Sequence, residues 1–269
     1  MNALKKLQNA NSIGNFICVG LDTDIKKIPP HLLGENNPIV EFNKQIIDAT
    51  KDRVAAYKIN LAFYECYGIN GLKNLEDTIK LIPSDVITIA DGKRGDIGNT
   101  SKMYAQSFYE HYNFDCSTLN PLMGKDSLEP FLDYSDKLNF ILVLTSNPGS
   151  KDFQNEELKN GVKLFQHTLN KIREWDKSKN CGIVFGATKL NELLENLHLI
   201  ENLPILIPGI GAQGGNLEDL VKILFESQKK SFLVNVSRGI IYKSNNVDFA
   251  EQAAAELANL NNIISANKK

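Results

Sequence analysis

Eight short, nearly continuous apolar runs punctuate the chain, and longer segments of mixed character separate them. The runs are residues 16–21, 54–60, 86–90, 115–120, 139–145, 181–186, 204–209 and 231–237. Runs of that length without polar alternation predict strands buried on both faces, as in a parallel sheet. The segments between them, such as Glu41 to Thr50 and Leu217 to Phe225, place apolar residues at helical spacing. Eight strand–helix units in about 250 residues predict a (β/α)8 barrel. The expectation is one catalytic domain over residues 1–269, frayed after about residue 261. The alternative, a doubly wound open sheet, calls for a Gly-rich turn after the first strand. The chain reads Gly20-Leu21-Asp22-Thr23-Asp24 there, with no G-x-G-x-x-G. The longest irregular stretch, residues 146–155, reads as a lid or a helix entrance.

Composition narrows the picture by exclusion. Hydrophobic residues make up 42% and charged residues 23%, ordinary for a globular enzyme. A formal net charge of -2 gives no electrostatic footprint for nucleic acid or a membrane surface. No apolar run approaches the roughly 20 residues that span a bilayer, and the N-terminus does not read as a secretory signal. Cys18, Cys66, Cys116 and Cys181 form no C-x-x-C pair, and three lie in apolar runs. They read as reduced thiols of a cytoplasmic protein. His31, His111, His167 and His198 show no metal-ligand spacing, and Trp175 reads as a packing residue.

The candidate chemistry sits at the ends of the runs. In a barrel the C-terminal ends of the strands form the active face. Asp22 ends the first run, Lys58 and Asn60 the second, and Asp91 and Lys93 follow the third. Asn120 ends the fourth, Thr145 and Ser146 the fifth, and Arg238 follows the eighth. Asp91 and Lys93 are two residues apart, so alternation puts them on one side of the strand. Charges in such a position must be paired and hydrogen-bonded. The glycines from Gly209 through Gly211 and Gly214 to Gly215 free backbone N–H groups to approach an anion. Arg238 adds a permanently charged fork beside them, so the last two strand ends predict a phosphate pocket.

Asp91-x-Lys93-x-x-Asp96-Ile97 resembles the D-x-K-x-x-D-I signature of orotidine 5′-phosphate decarboxylases. The longer string from Ala90 to Thr100 resembles their second subfamily, type 2. So do Tyr57-Lys58-Ile59-Asn60, Asn120-Pro121-Leu122-Met123-Gly124, Thr145-Ser146-Asn147-Pro148-Gly149 and Pro208 to Gly215. The resemblance implies decarboxylation of orotidine 5′-phosphate to uridine 5′-phosphate without metal or organic cofactor. It implies a homodimer with shared active sites. Lys58, Asp91, Lys93 and Asp96 would form an alternating charge row, with Asp96 and Thr100 coming from the partner subunit. Lys93 would stabilise the C6 carbanion and protonate it. Asp22 would hold the ribose, Ser146 the pyrimidine, and Gln213 and Arg238 the phosphate. Asn60 and Asn120 would complete the substrate wall. Two other readings share part of the pattern. One is a metal-dependent sugar-phosphate synthase or decarboxylase of the same superfamily, and the other is a non-catalytic nucleotide-binding barrel.

Overall fold

A computed structural model describes residues 1–211 and 214–268. Eight strands, all parallel to their neighbours, close into a barrel in chain order, so the open-sheet alternative falls. They are β1 (Ile17–Gly20), β2 (Ala56–Asn60), β3 (Ile87–Arg94), β4 (Cys116–Leu119), β5 (Leu138–Leu144), β6 (Cys181–Phe185), β7 (Ile205–Pro208) and β8 (Phe232–Val236). Closure is explicit in the pairing, since β1 aligns Cys18 with Ala56 on β2 and with Asn235 on β8. The helices are α1 (Ala3–Ser12), α2 (Pro38–Thr50), α3 (Ala62–Glu65), α4 (Gly68–Lys80), α5 (Gly98–Gln106), α6 (Glu129–Leu132), α7 (Leu164–Trp175), α8 (Leu190–Ile200), α9 (Leu217–Glu226), α10 (Arg238–Ile241) and α11 (Phe249–Asn267). Among the described residues no helix is long and apolar enough to cross a membrane.

Two cores result from the two faces of each strand. Val19, Tyr57, Ile59 and Ala90 face outward and pack with Phe42, Leu75 and Phe108 of the helical layer. Cys18, Ala56, Ile87, Ile89, Cys116, Phe140, Val184, Leu206 and Leu233 fill the barrel interior. The interior positions step by two along each strand, and the next inward positions are polar. Ile87 and Ile89 are followed by Asp91 and Lys93, Ala56 by Lys58, Cys116 by Thr118, and Leu233 by Asn235. The barrel is thus oily in its lower half and polar at its mouth.

Four features refine or depart from the sequence expectations. Helix α1 closes the bottom of the barrel, with Ala3 and Leu7 buried in the interior core. Lys6 fixes it by an ion pair to Asp115 at 2.8 Å. Strand β3 runs to Arg94, so Asp91 and Lys93 lie on the strand as their alternation implied, and the strand extends past the apolar run that ended at Ala90. The stretch after β5 folds into a short 3-10 turn, Pro148–Asp152. The end expected to fray after about residue 261 is helical to Asn267, because Leu260 and Ile264 are buried against the barrel's outer layer.

Candidate active site

The centre of the site is a three-residue ion row across β2 and β3. Lys58 Nζ stands 2.8 Å from Asp91 Oδ2, and Lys93 Nζ stands 2.6 Å from Asp91 Oδ1. Asp22 Oδ1 reaches Lys58 Nζ at 3.5 Å from the end of β1. Lys58 and Asp91 are buried, whereas the Lys93 side chain is 49% exposed and faces the cavity. Burial alone would raise the Asp91 carboxyl. The two ammonium groups and their hydrogen bonds outweigh it, and hold Asp91 well below the usual carboxylate range. Burial likewise works against the Lys58 charge, but Asp22 and Asp91 reverse it and raise its pKa. With Asp22 added at its end, the row alternates carboxylate and amine from Asp22 to Lys93.

The backbone under Lys93 is unusual. Its φ is +46°, in the left-handed region that costs a side-chain-bearing residue about 1–2 kcal/mol. The β3–β4 register shifts between Ala90 and Arg94 at the same place. Thr118 on β4 holds the conformation from both ends. Its Oγ1 accepts from the Lys93 backbone N–H at 3.0 Å and donates to Asp91 Oδ1 at 2.9 Å. On the other face of β3, Arg94 pairs with Glu65 and lies over the Tyr104 ring at 5.1 Å. Such strain persists only where the surroundings over-determine it, and here it aims an ammonium into the cavity.

That cavity has a volume of about 410 Å³ and opens at the C-terminal ends of the strands. Asp22, Lys58, Asp91 and Lys93 form one side. Gly209 and Arg238 stand at the ends of β7 and β8, and Ser146 at the end of β5. Leu142, Val184, Leu206 and Pro208 supply an apolar wall suited to a planar ring. Gly186 allows the β5 end to lie close, since a Cβ there would come within 2.7 Å of the Ser146 backbone. The β1 end is pinned from outside the barrel: Tyr64 donates to the Leu21 carbonyl at 3.0 Å and Tyr242 to the Asp22 carbonyl at 3.2 Å.

Of the residues singled out in the sequence, Asp22, Lys58, Asn60, Asp91, Lys93, Ser146, Gly209 and Arg238 line this cavity. Thr145 does too, with its hydroxyl turned to Asn147 at 2.6 Å. Arg238 is exposed and makes no ion pair with a described carboxylate, which leaves its fork free for an anion. Gly211 and Gly214 are exposed, with φ of +70° and +88°, and flank the turn after β7. Gln213 lies outside the described residues. Asn120 is not among the residues that line this cavity. Its Oδ1 accepts from the Leu122 N–H and starts a 3-10 turn, which leaves it at a separate pocket beside Phe153. Asp96 and Thr100 also stand away from this chain's cavity. Asp96 is half-buried, with its carboxylate on the Ile97 N–H at 2.8 Å, and Thr100 is exposed on α5. Thr118 and Asn235, not singled out from the sequence, both line the cavity. Counting by two from the interior Cys116 and Leu233 would have found them. Among the described residues no group of His, Cys, Asp and Glu side chains could hold a metal ion.

Comparison with known proteins agrees with this geometry. Residues 15–253 match the model of the Orotidine 5'-phosphate decarboxylase / HUMPS family. An orotidine 5'-phosphate decarboxylase of Porphyromonas gingivalis is 48% identical over 247 residues, covering 91% of this chain and 89% of that one. One from Flavobacterium johnsoniae is 49% identical over 245 residues, covering 90% and 89%. The solved Leishmania donovani OMP decarboxylase superposes with a TM-score of 0.82 at 31% identity, over 98% of this chain and 99% of that chain. The Leishmania donovani UMP synthase gives 0.81 at 34% identity, over 97% of this chain and 56% of that longer one.

Proposed function

The chain belongs to the orotidine 5'-phosphate decarboxylase / HUMPS family, and from that premise we infer that it converts orotidine 5′-phosphate to uridine 5′-phosphate and CO2. One observation carries the reading: the row Lys58–Asp91–Lys93 faces Gly209 and Arg238 across a single cavity of nucleotide size. A phosphate at Arg238 and Gly209 puts the sugar over the β1 and β2 ends and the pyrimidine near Lys93.

The reaction breaks the bond between C6 and the carboxylate. CO2 leaves, and the electron pair stays on C6, which has no neighbouring carbonyl to receive it. A fixed ammonium beside that carbon stabilises the developing charge, most strongly once the ligand has displaced water. Lys93 Nζ fills that position and then gives C6 a proton, yielding the product, and solvent restores the ammonium. Asp91 holds Lys93 aimed into the cavity, and Lys58 anchors Asp91. Asp96 of a second copy sits near the substrate carboxylate. Two like charges about 4 Å apart cost roughly 4 kcal/mol at an effective dielectric of about 20, a cost relieved as CO2 departs. Binding energy from the phosphate helps close the site, so substrates without it lose turnover as well as affinity.

The same reading makes the protein a homodimer with Asp96 and Thr100 reaching the partner's cavity. In support, exposed apolar side chains sit on the segments that follow β2, β3 and β4: Ile69, Leu72, Ile97, Met103, Leu122 and Met123. An assembly would cover them. The string from Ala90 to Thr100 supports membership of the second subfamily, and buried free thiols at Cys18, Cys116 and Cys181 fit a cytoplasmic enzyme. Residues 1–269 then form one catalytic domain. The test is to mix purified protein with orotidine 5′-phosphate in the presence of a chelator and follow ultraviolet absorbance. Loss of the substrate spectrum with release of CO2 supports the reading. No turnover, or turnover abolished by the chelator, refutes it in favour of a binding barrel or a metal-dependent enzyme respectively.

A further inference from the structure

Among the described polar side chains that line the cavity and are buried, all but one have partners. Lys58 engages Asp22 and Asp91, and Asp91 engages both lysines and Thr118. Asn60 Oδ1 accepts from the Ala62 N–H, and Thr145 holds Asn147 and Gln154. Asn235 is 8% exposed and lines the cavity, and its side chain makes no hydrogen bond with any described residue. Its Oδ1 is shut from water with no partner. Buried side-chain amides are normally satisfied, so one left open at the wall of a binding site points to a missing partner.

The surroundings indicate which part of a ligand that partner is. Asn235 pairs in register with Pro208 on β7 and Cys18 on β1. It stands between the anion-binding ends of β7 and β8 on one side and Asp22 and Lys58 on the other. Space is kept for it by Gly20. A Cβ at that position would lie 3.4 Å from Asn235 Oδ1 and only 1.9 Å from Ser237 Oγ. A nucleotide with its phosphate at Arg238 and its reacting carbon at Lys93 has only its sugar over this point. Rotation about the last side-chain torsion exchanges the amide's donor and acceptor, so either can be turned to a hydroxyl.

We propose that Asn235 is a ribose-recognition residue, bonded to a sugar hydroxyl directly or through one trapped water. This rests on the decarboxylase reading above. The apolar alternative at the same position would pack as well and leave nothing unsatisfied, so the amide's cost in the free protein is offset only when ligand arrives. A site built to hydrogen-bond a hydroxyl rejects the analogue that lacks it.

The experiment compares wild type with Asn235→Leu, close in volume but without polar atoms. Both are assayed for kcat/KM on orotidine 5′-phosphate and on its 2′-deoxy and 3′-deoxy analogues. On the full substrate the variant should lose about 10- to 100-fold, the size of one hydrogen bond in a desolvated site. On the analogue missing the sensed hydroxyl the loss should shrink to within about threefold. The unliganded variant should melt at or above the wild-type temperature, because a buried amide without a partner is gone. Equal losses on all three substrates, or no loss on any, overturns the proposal. If Asn235→Leu does not fold, Asn235→Ala carries the same three-substrate comparison. Failure of the wild type itself to turn over the full substrate would sink the decarboxylase reading instead, and is scored separately.

Discussion

Replacing Asp91 by Asn removes the one anion that faces both lysines while keeping side-chain size. Lys58 then keeps only Asp22, 3.5 Å away. At 2.8 Å and an effective dielectric of about 20, the Lys58–Asp91 attraction is about 6 kcal/mol before desolvation. Desolvation of both groups opposes much of that in the wild type. Taking away one partner leaves the other buried and charged, which costs about 3–5 kcal/mol. The Lys93 pair adds little, about 1 kcal/mol or less, because that side chain is half exposed. Asp91→Asn should therefore lower unfolding free energy by about 3–5 kcal/mol at pH 7, measured by urea denaturation. The pH dependence follows from the depressed Asp91 pKa. A carboxyl depressed in the folded state contributes stability above its ordinary value of 3.8, and that contribution is lost as pH falls below it. The gap between wild type and variant should be constant from pH 5 to 8 and narrow below pH 3.8. A variant as stable as wild type at pH 7, or a gap that does not narrow in acid, refutes the argument.

Three further outcomes follow from the same geometry. Lys93→Ala should fold normally and lose at least about 10⁴-fold in kcat, since it removes both the charge beside C6 and the proton donor; near-normal turnover takes Lys93 out of its role. Mixing Lys93→Ala with Asp96→Ala subunits should restore activity to about a quarter of wild type, because one hybrid site in two would be intact in the half of the dimers that are mixed; hybrids shown to form without activity contradict shared sites. Arg238→Ala should reduce kcat/KM by about 10- to 100-fold for the phosphorylated substrate, and leave the slow turnover of the free nucleoside nearly unchanged; equal effects on both would mean that Arg238 does not hold the phosphate.

The strands were legible because each is short, nearly continuous in apolar residues and bounded by polar segments. Asp91 and Lys93 were legible because two opposite charges at a spacing of two are costly unless paired. Helix α1 was not, since its few apolar residues are interleaved with Lys5, Lys6, Gln8 and Asn9, and the burial of Ala3 and Leu7 depends on the open bottom of a barrel formed later in the chain. Thr118 and Asn235 look like ordinary strand residues until the inward face of β4 and β8 is known. Asn120 ends its strand as expected, but the chain turns there, with its Oδ1 capping the Leu122 N–H, and the side chain lies at the neighbouring pocket. The positive φ at Lys93 and the register slip against β4, which carry β3 on to Arg94, have no signature in the residue pattern. Asp96 could not be placed from one chain, as nothing within this barrel draws it to the cavity.

Everything chemical in this account requires the Lys93 ammonium to meet C6 of the pyrimidine. A crystal structure with bound uridine 5′-phosphate measures that directly. The predicted result is Lys93 Nζ about 3 Å from C6, still paired with Asp91, with the phosphate on Arg238. A pyrimidine bound elsewhere in the cavity, with Lys93 turned toward solvent, would contradict it.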